Sequence, residues 1–116
     1  MPTAPCLFCG IIAKDLPATR VYEDDEVLAI RDIEPRAPTH ILLISRRHIP
    51  SALDLTDADG PLLGRMFAVA ADLARSEGIA EDGYRLVTNV GRWGGQSVDH
   101  LHLHLMGGRA FKWPPG

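Results

Sequence analysis

The 116-residue chain is 46% hydrophobic and 23% charged, which excludes a disordered or fibrous chain and leaves a globular one able to bury a core. Its 12 Lys and Arg against 15 Asp and Glu give a net charge of −3, without the basic excess by which a protein holds nucleic acid. No apolar run approaches the ~18 residues of a membrane span, and Met1-Pro2-Thr3-Ala4-Pro5 lacks a signal-peptide pattern, so a cytoplasmic protein with neither nucleic-acid nor membrane partners is expected.

There is no repeat, low-complexity tract or linker, and residues 1–116 read as one domain. Leu7, Ile11 and Ile12 recur at helical spacing between Cys6 and Lys14, and Pro17 stops that short helix. Val21-Tyr22-Glu23 reads as a strand, Asp24-Asp25 as a turn, and Val27-Leu28-Ala29-Ile30 as a second strand ending near Asp32. Pro35 and Pro38 bracket a rigid loop, because each fixes its own φ and extends the residue before it. Ile41-Leu42-Leu43-Ile44 follows as a buried strand.

Beyond Pro50, Leu62, Leu63, Met66, Phe67, Ala70, Leu73 and Ala74 lie three and four apart, which predicts one long amphipathic helix capped near Gly78. Asp82-Gly83 turns into a strand over Tyr84 to Asn89, and a glycine-rich loop, 91–96, leads to a last strand from Val98 to Met106. Strands joined by turns, with one long and one short helix, predict an α+β domain with an antiparallel sheet of about five strands. Such a sheet leaves apolar surface that calls for a second copy.

Asp99-His100-Leu101-His102-Leu103-His104-Leu105 alternates at the strand period, which sets three imidazoles on one face and three leucines on the other. A merely solvated face would draw on Lys, Glu and Thr. Successive imidazoles roughly 6.5–7 Å apart can meet one small anion or one metal ion. Two chemistries fit. The histidines could hold a catalytic zinc with an open position, or one neutral imidazole could attack phosphorus while its neighbours donate to the phosphoryl oxygens. The preceding Gly94-Gly95-Gln96-Ser97 offers unobstructed backbone N–H groups, an amide and a hydroxyl, which is an anion cradle and favours the phosphate reading. Cys6 and Cys9, the only cysteines, stand as C-x-x-C, open to redox chemistry, metal binding or neither.

The His-Leu-His-Leu-His-Leu run resembles the signature of the histidine-triad (HIT) family. Around it, Asp32-Ile33, Ala37-Pro38-Thr39-His40, Gly83-Tyr84-Arg85, Asn89, Gly94-Gly95-Gln96-Ser97-Val98, Gly107-Gly108-Arg109 and Trp113-Pro114-Pro115-Gly116 resemble its Hint branch, from Cys6 to Gly116. The resemblance implies a homodimer with one continuous sheet that hydrolyses AMP phosphoramidates through a nucleotidyl-histidine. It makes His102 the nucleophile, with His104, Ser97 and His40 as its active-site companions. Asp32 and Ile33 fall at the ribose, Asn89, Gly95 and Gln96 at further nucleotide contacts, and Trp113 reaches towards the partner's site. It also implies a structural Zn²⁺ on Cys6, Cys9, His48 and His100, with no catalytic metal required. A nucleotide-binding regulatory module with little turnover is the alternative. Arg92-Trp93 departs from the family, where small or polar residues are common.

Overall fold

In a computed structural model, residues 6–116 are described; the Met1–Pro5 stretch, expected to carry no signal peptide, lies outside the described residues. The chain order is α1 (Leu7–Ile12), β1 (Arg20–Glu23), β2 (Val27–Arg31), β3 (Thr39–Ser45), two short 3-10 turns, α2 (Gly60–Ser76), β4 (Arg85–Val87) and β5 (His102–Gly107). The five strands make one sheet in the order β1-β2-β3-β5-β4, antiparallel throughout.

Every residue of β3 is buried, which explains its unbroken apolar run: both faces of the sheet are covered. On one face Val27, Ala29, Ile41, Leu43, Leu103 and Leu105 meet Leu62, Met66, Val69, Ala70, Leu73 and Ala74 of α2. On the other, Leu28, Ile30, Leu42 and Ile44 meet Phe8 and Ile11 of α1. The helical spacing seen in the sequence thus marks the buried stripe of α2. That helix starts behind Asp59, whose carboxylate accepts from the Thr56 amide at 2.9 Å, and stops at Gly78, whose φ of +74° suits glycine. No helix is long and apolar enough to cross a membrane among the described residues.

Two strands are shorter than the sequence predicts. The Tyr84–Asn89 stretch narrows to Arg85–Val87, since the Thr88 hydroxyl, not a backbone amide, donates to the His102 carbonyl at 2.8 Å. The Val98–Met106 stretch becomes a strand only at His102. Before it, the His100 amide donates to the Val98 carbonyl at 2.8 Å and the Leu101 amide to the Ile49 carbonyl at 2.6 Å, so a tight turn and a tether to the loop after β3 replace the ladder.

Candidate functional site

The register of β3 against β5 sets Leu42 opposite His104, Ile44 opposite His102 and His40 opposite Met106. Opposed residues share a face, so His102 and His104 project with His40 from the side away from α2. His40 reaches diagonally across the strands, bringing its Nε2 to 2.9 Å from Nδ1 of His104. The histidine pattern is therefore read by the sheet as the sequence suggests for His102 and His104. His100 lies before the strand, and its ring turns into the cysteine cluster.

Hydrogen bonds assign the tautomers. His102 Nδ1 lies 2.6 Å from the His100 carbonyl, so it carries the proton, and Nε2 keeps the lone pair. That Nε2 has no partner among the described residues, where no buried side-chain N or O lacks one, so it opens outward. His40 Nδ1 accepts from the Arg36 amide at 3.0 Å, which puts its proton on Nε2. That proton is donated to His104 Nδ1, and the His104 proton is left on Nε2. Adjacent imidazoles, with ring centroids 5.1 Å apart, thus present opposite chemistry: a lone pair on His102 and an N–H on His104.

Burial supports the neutral forms. It pushes His40 and His102 below the ordinary imidazole value against the opposing pull of Asp32, and lowers His100 as well. His104 is pushed down to about 4, by burial first and then by its neighbours His102 and His40. Asp32 follows β2, with its amide donating to the His40 carbonyl at 3.0 Å and Oδ2 lying 3.4 Å from His40 Nε2. Its Oδ1 accepts from the Glu34 amide at 2.8 Å.

Asp32, His40 and His104 lie close enough to hold a metal ion. The Arg36 amide argues for a proton relay instead. A metal on His40 Nε2 would require the proton on Nδ1, directed at an N–H that already donates there.

The glycine loop is rigidly built. Asn89 Nδ2 donates to the Gly94 carbonyl at 2.7 Å. A Cβ at Gly94 would fall 2.3 Å from the Val90 carbonyl oxygen, and Gly95 has φ of +79°. Gln96 braces the loop from both ends: its Oε1 accepts from the Gly91 amide at 2.9 Å, while Nε2 donates to the carbonyls of Pro50 and Val98 at 2.7 and 3.0 Å. Gln96 and Asn89 therefore spend their amides shaping the cradle. Ser97 is exposed at its end. Ile33 and Trp113 are 92% and 85% exposed.

The second constellation converges as well. His100 Nδ1 lies 3.3 Å from Cys6 Sγ, 3.6 Å from Cys9 Sγ and 3.1 Å from His48 Nδ1, and Cys9 Sγ lies 3.3 Å from His48 Nδ1. A tetrahedron of two sulfurs and two imidazole nitrogens around zinc has edges of about 3.3–3.8 Å, so the four residues fit the ion. The tautomer fits too. His100 Nε2 faces the Ser45 carbonyl at 2.5 Å and holds the proton there, leaving Nδ1 to the cluster. Burial and the neighbouring Cys6 push the Cys9 thiol up, a shift that a bound cation would oppose.

Sequence reasoning missed three participants. The Arg36 amide and the Ser45 carbonyl are backbone groups with no sequence signal. Phe8 lies edge-on to His100 and His102, at centroid distances of 5.9 and 4.9 Å. Its place between Cys6 and Cys9 on α1 was the available hint.

Residues 13–111 match the HIT domain family. The chain is 53% identical over 103 residues to a purine nucleoside phosphoramidase of Escherichia coli K12, covering 89% of this chain and 87% of that protein. A HIT family hydrolase of Legionella pneumophila Philadelphia 1 superposes with a TM-score of 0.95 at 53% identity, over 97% of this chain and all of that one (100%). A zinc-bound histidine triad family protein from Mycobacterium smegmatis gives 0.77 at 35% identity, over 90% of this chain and 75% of that one. The triad strand, the fold around it and these likenesses together place the chain in the HIT family.

Proposed function

We propose that the chain is one HIT domain that hydrolyses AMP phosphoramidates, such as adenosine 5'-phosphoramidate and AMP-lysine-like conjugates, through a nucleotidyl-histidine on His102. The pair of opposed tautomers carries this reading: an outward lone pair on His102 beside an outward N–H on His104. The name of the Escherichia coli relative supports the substrate class.

In the first step the His102 Nε2 lone pair forms a bond to the α-phosphorus, the phosphorus–amine bond breaks, and the departing amine takes a proton. Water then attacks phosphorus, the bond to Nε2 breaks, and AMP leaves with His102 restored. The His104 N–H, the Ser97 hydroxyl and the amides around Gly95 meet the charge on the phosphoryl oxygens. His40 holds His104 in its donor form. Asp32 accepts from the ribose hydroxyls beside Ile33, while Asn89 and Gln96 hold the cradle open.

Cys6, Cys9, His48 and His100 would hold Zn²⁺. When bound, it supplies a closed tetrahedral tie with no open position, hence a structural role. A homodimer goes with this reading, Trp113 reaching the partner's site, and so does a cytoplasmic setting that keeps the cysteines reduced. The test is turnover of a fluorogenic adenosine phosphoramidate. Release of amine and AMP is expected; AMP binding without turnover would assign a regulatory nucleotide-binding module instead.

A further inference from the structure

The two cysteines are the chain's only ones, and they lie three residues apart across the first turn of α1. Their sulfurs converge on one nitrogen, at 3.3 and 3.6 Å from His100 Nδ1, and the Cys9 amide lies 3.4 Å from Cys6 Sγ. Both are half-exposed free thiols. A cleft of about 700 Å³, lined by both cysteines with Leu7, Gly10, Asp15 and Leu16, opens onto them. The sulfurs are thus close to each other and open to a small oxidant.

We propose that Cys6 and Cys9 are a reversible oxidation site, at which a peroxide converts the metal-binding pair into a disulfide and thereby unties α1 from the sheet. One thiolate attacks a peroxide oxygen, the O–O bond breaks, and a sulfenic acid and hydroxide form. The other sulfur attacks the sulfenic sulfur and a second hydroxide leaves. Two electrons pass from the two sulfurs to the peroxide, and the two hydroxides take up protons as water. A disulfide sulfur carries no charge, so two of the four metal ligands are lost together.

The consequence follows from what each linkage spans. A metal ion on these residues ties positions 94 and 39 apart in sequence, Cys6 to His100 and Cys9 to His48, and so restrains large loops of the unfolded chain. The disulfide closes only the first turn of a helix, a loop of four residues that restrains the unfolded chain far less. Oxidation therefore adds a covalent bond and lowers stability. It also frees Phe8, which lies between the cysteines and edge-on to the nucleophile, at 4.9 Å from the His102 ring.

This inference rests on the metal reading of the four residues and not on the substrate reading. The test takes the full chain loaded with Zn²⁺, oxidises it with hydrogen peroxide, and follows intact mass, zinc release to a chromophoric chelator, the melting curve and imidazole nitrogen resonances. The expected product is a monomeric chain lighter by two hydrogens, with its zinc released and its Tm lower by about 5 °C or more. Its His102 resonance shifts, and dithiothreitol with Zn²⁺ restores the starting state. The Cys9→Ser chain should form no internal disulfide. A Tm that holds or rises on disulfide formation, zinc retained after it, or cysteines ending as sulfinic acids would each overturn the proposal. A chain that takes up no zinc overturns the metal reading and this proposal with it, while phosphoramidate turnover is scored separately.

Discussion

His102 Nδ1 and the carbonyl of His100 lie 2.6 Å apart, so the residue at the cysteine cluster also fixes the tautomer of the outward imidazole two positions along. The lone pair at Nε2 is thus set by backbone geometry. On the proposed mechanism, His102→Ala removes the attacking atom and little of the phosphate's hydrogen bonding. Turnover of an adenosine phosphoramidate should vanish while AMP affinity stays within about tenfold. Activity within tenfold of the parent would sink the covalent mechanism.

The relay from the Arg36 amide through His40 to His104 makes a separate prediction. His40→Ala removes the donor that holds the lone pair of His104 Nδ1, so His104 can carry its proton on either nitrogen. We expect kcat to fall by about 10²-fold with KM changed far less, since the lost N–H acts on charge that develops during the reaction. Nitrogen chemical shifts of the His104 ring should report mixed tautomers. A single unchanged tautomer in the variant would remove His40 from this role.

For the metal, purified chain should contain about one Zn²⁺, because four ligand atoms converge within 4.8 Å of one another. Cys6→Ser combined with Cys9→Ser should lower Tm while sparing most of the turnover at room temperature, since neither sulfur faces the phosphate site. Loss of all turnover with the fold intact on zinc removal would instead make the metal catalytic.

Two ion pairs contribute to the acid response, as does Asp59, held down by the Thr56 amide and Arg47. Asp24 is held below the ordinary carboxyl range by the Tyr22 hydroxyl, the amides of Glu26 and Val27 and the Arg65 guanidinium, which together outweigh its burial. Glu77 is held down by the paired contacts from Arg31 at 2.7 and 2.8 Å. A depressed folded-state pKa stabilises above the unfolded value of about 4 and is lost as pH falls below it. Melting curves between neutral pH and pH 3 should show Tm falling on the acid side. Asp24→Asn with Glu77→Gln should lower Tm at neutral pH and flatten that slope; parallel curves for parent and variant would contradict the assignment.

The elements were legible in the sequence wherever side chains repeat. The α2 stripe, the buried β3 run and the His-Leu alternation each encode which face is covered, and the sheet and helices use them so. The site was legible only as a set of residue types. His40 and His104 are 64 positions apart and meet because β3 pairs with β5 in one register, which no local pattern records. β5 begins at His102, later than the Val98 start that the sequence predicts, for a local reason. Alternation runs back only to His100, since Asp99 and His100 are both polar, and a bond from the His100 amide to the Val98 carbonyl bends the backbone at that point.

The sheet order β1-β2-β3-β5-β4 puts the histidine strand between two others. Its amides are paired on both sides over Leu105 and His104, and its leucines are sealed under α2. Such a strand opens only when the whole domain does, and its amide protons should be among the last to exchange with solvent. The glycine loop and the segment from Asp32 to Pro38, by contrast, border the same site on exposed backbone. The site is therefore divided mechanically. Any opening that admits a ligand falls to the loop side, while His104 rides on the part of the strand that is paired on both edges.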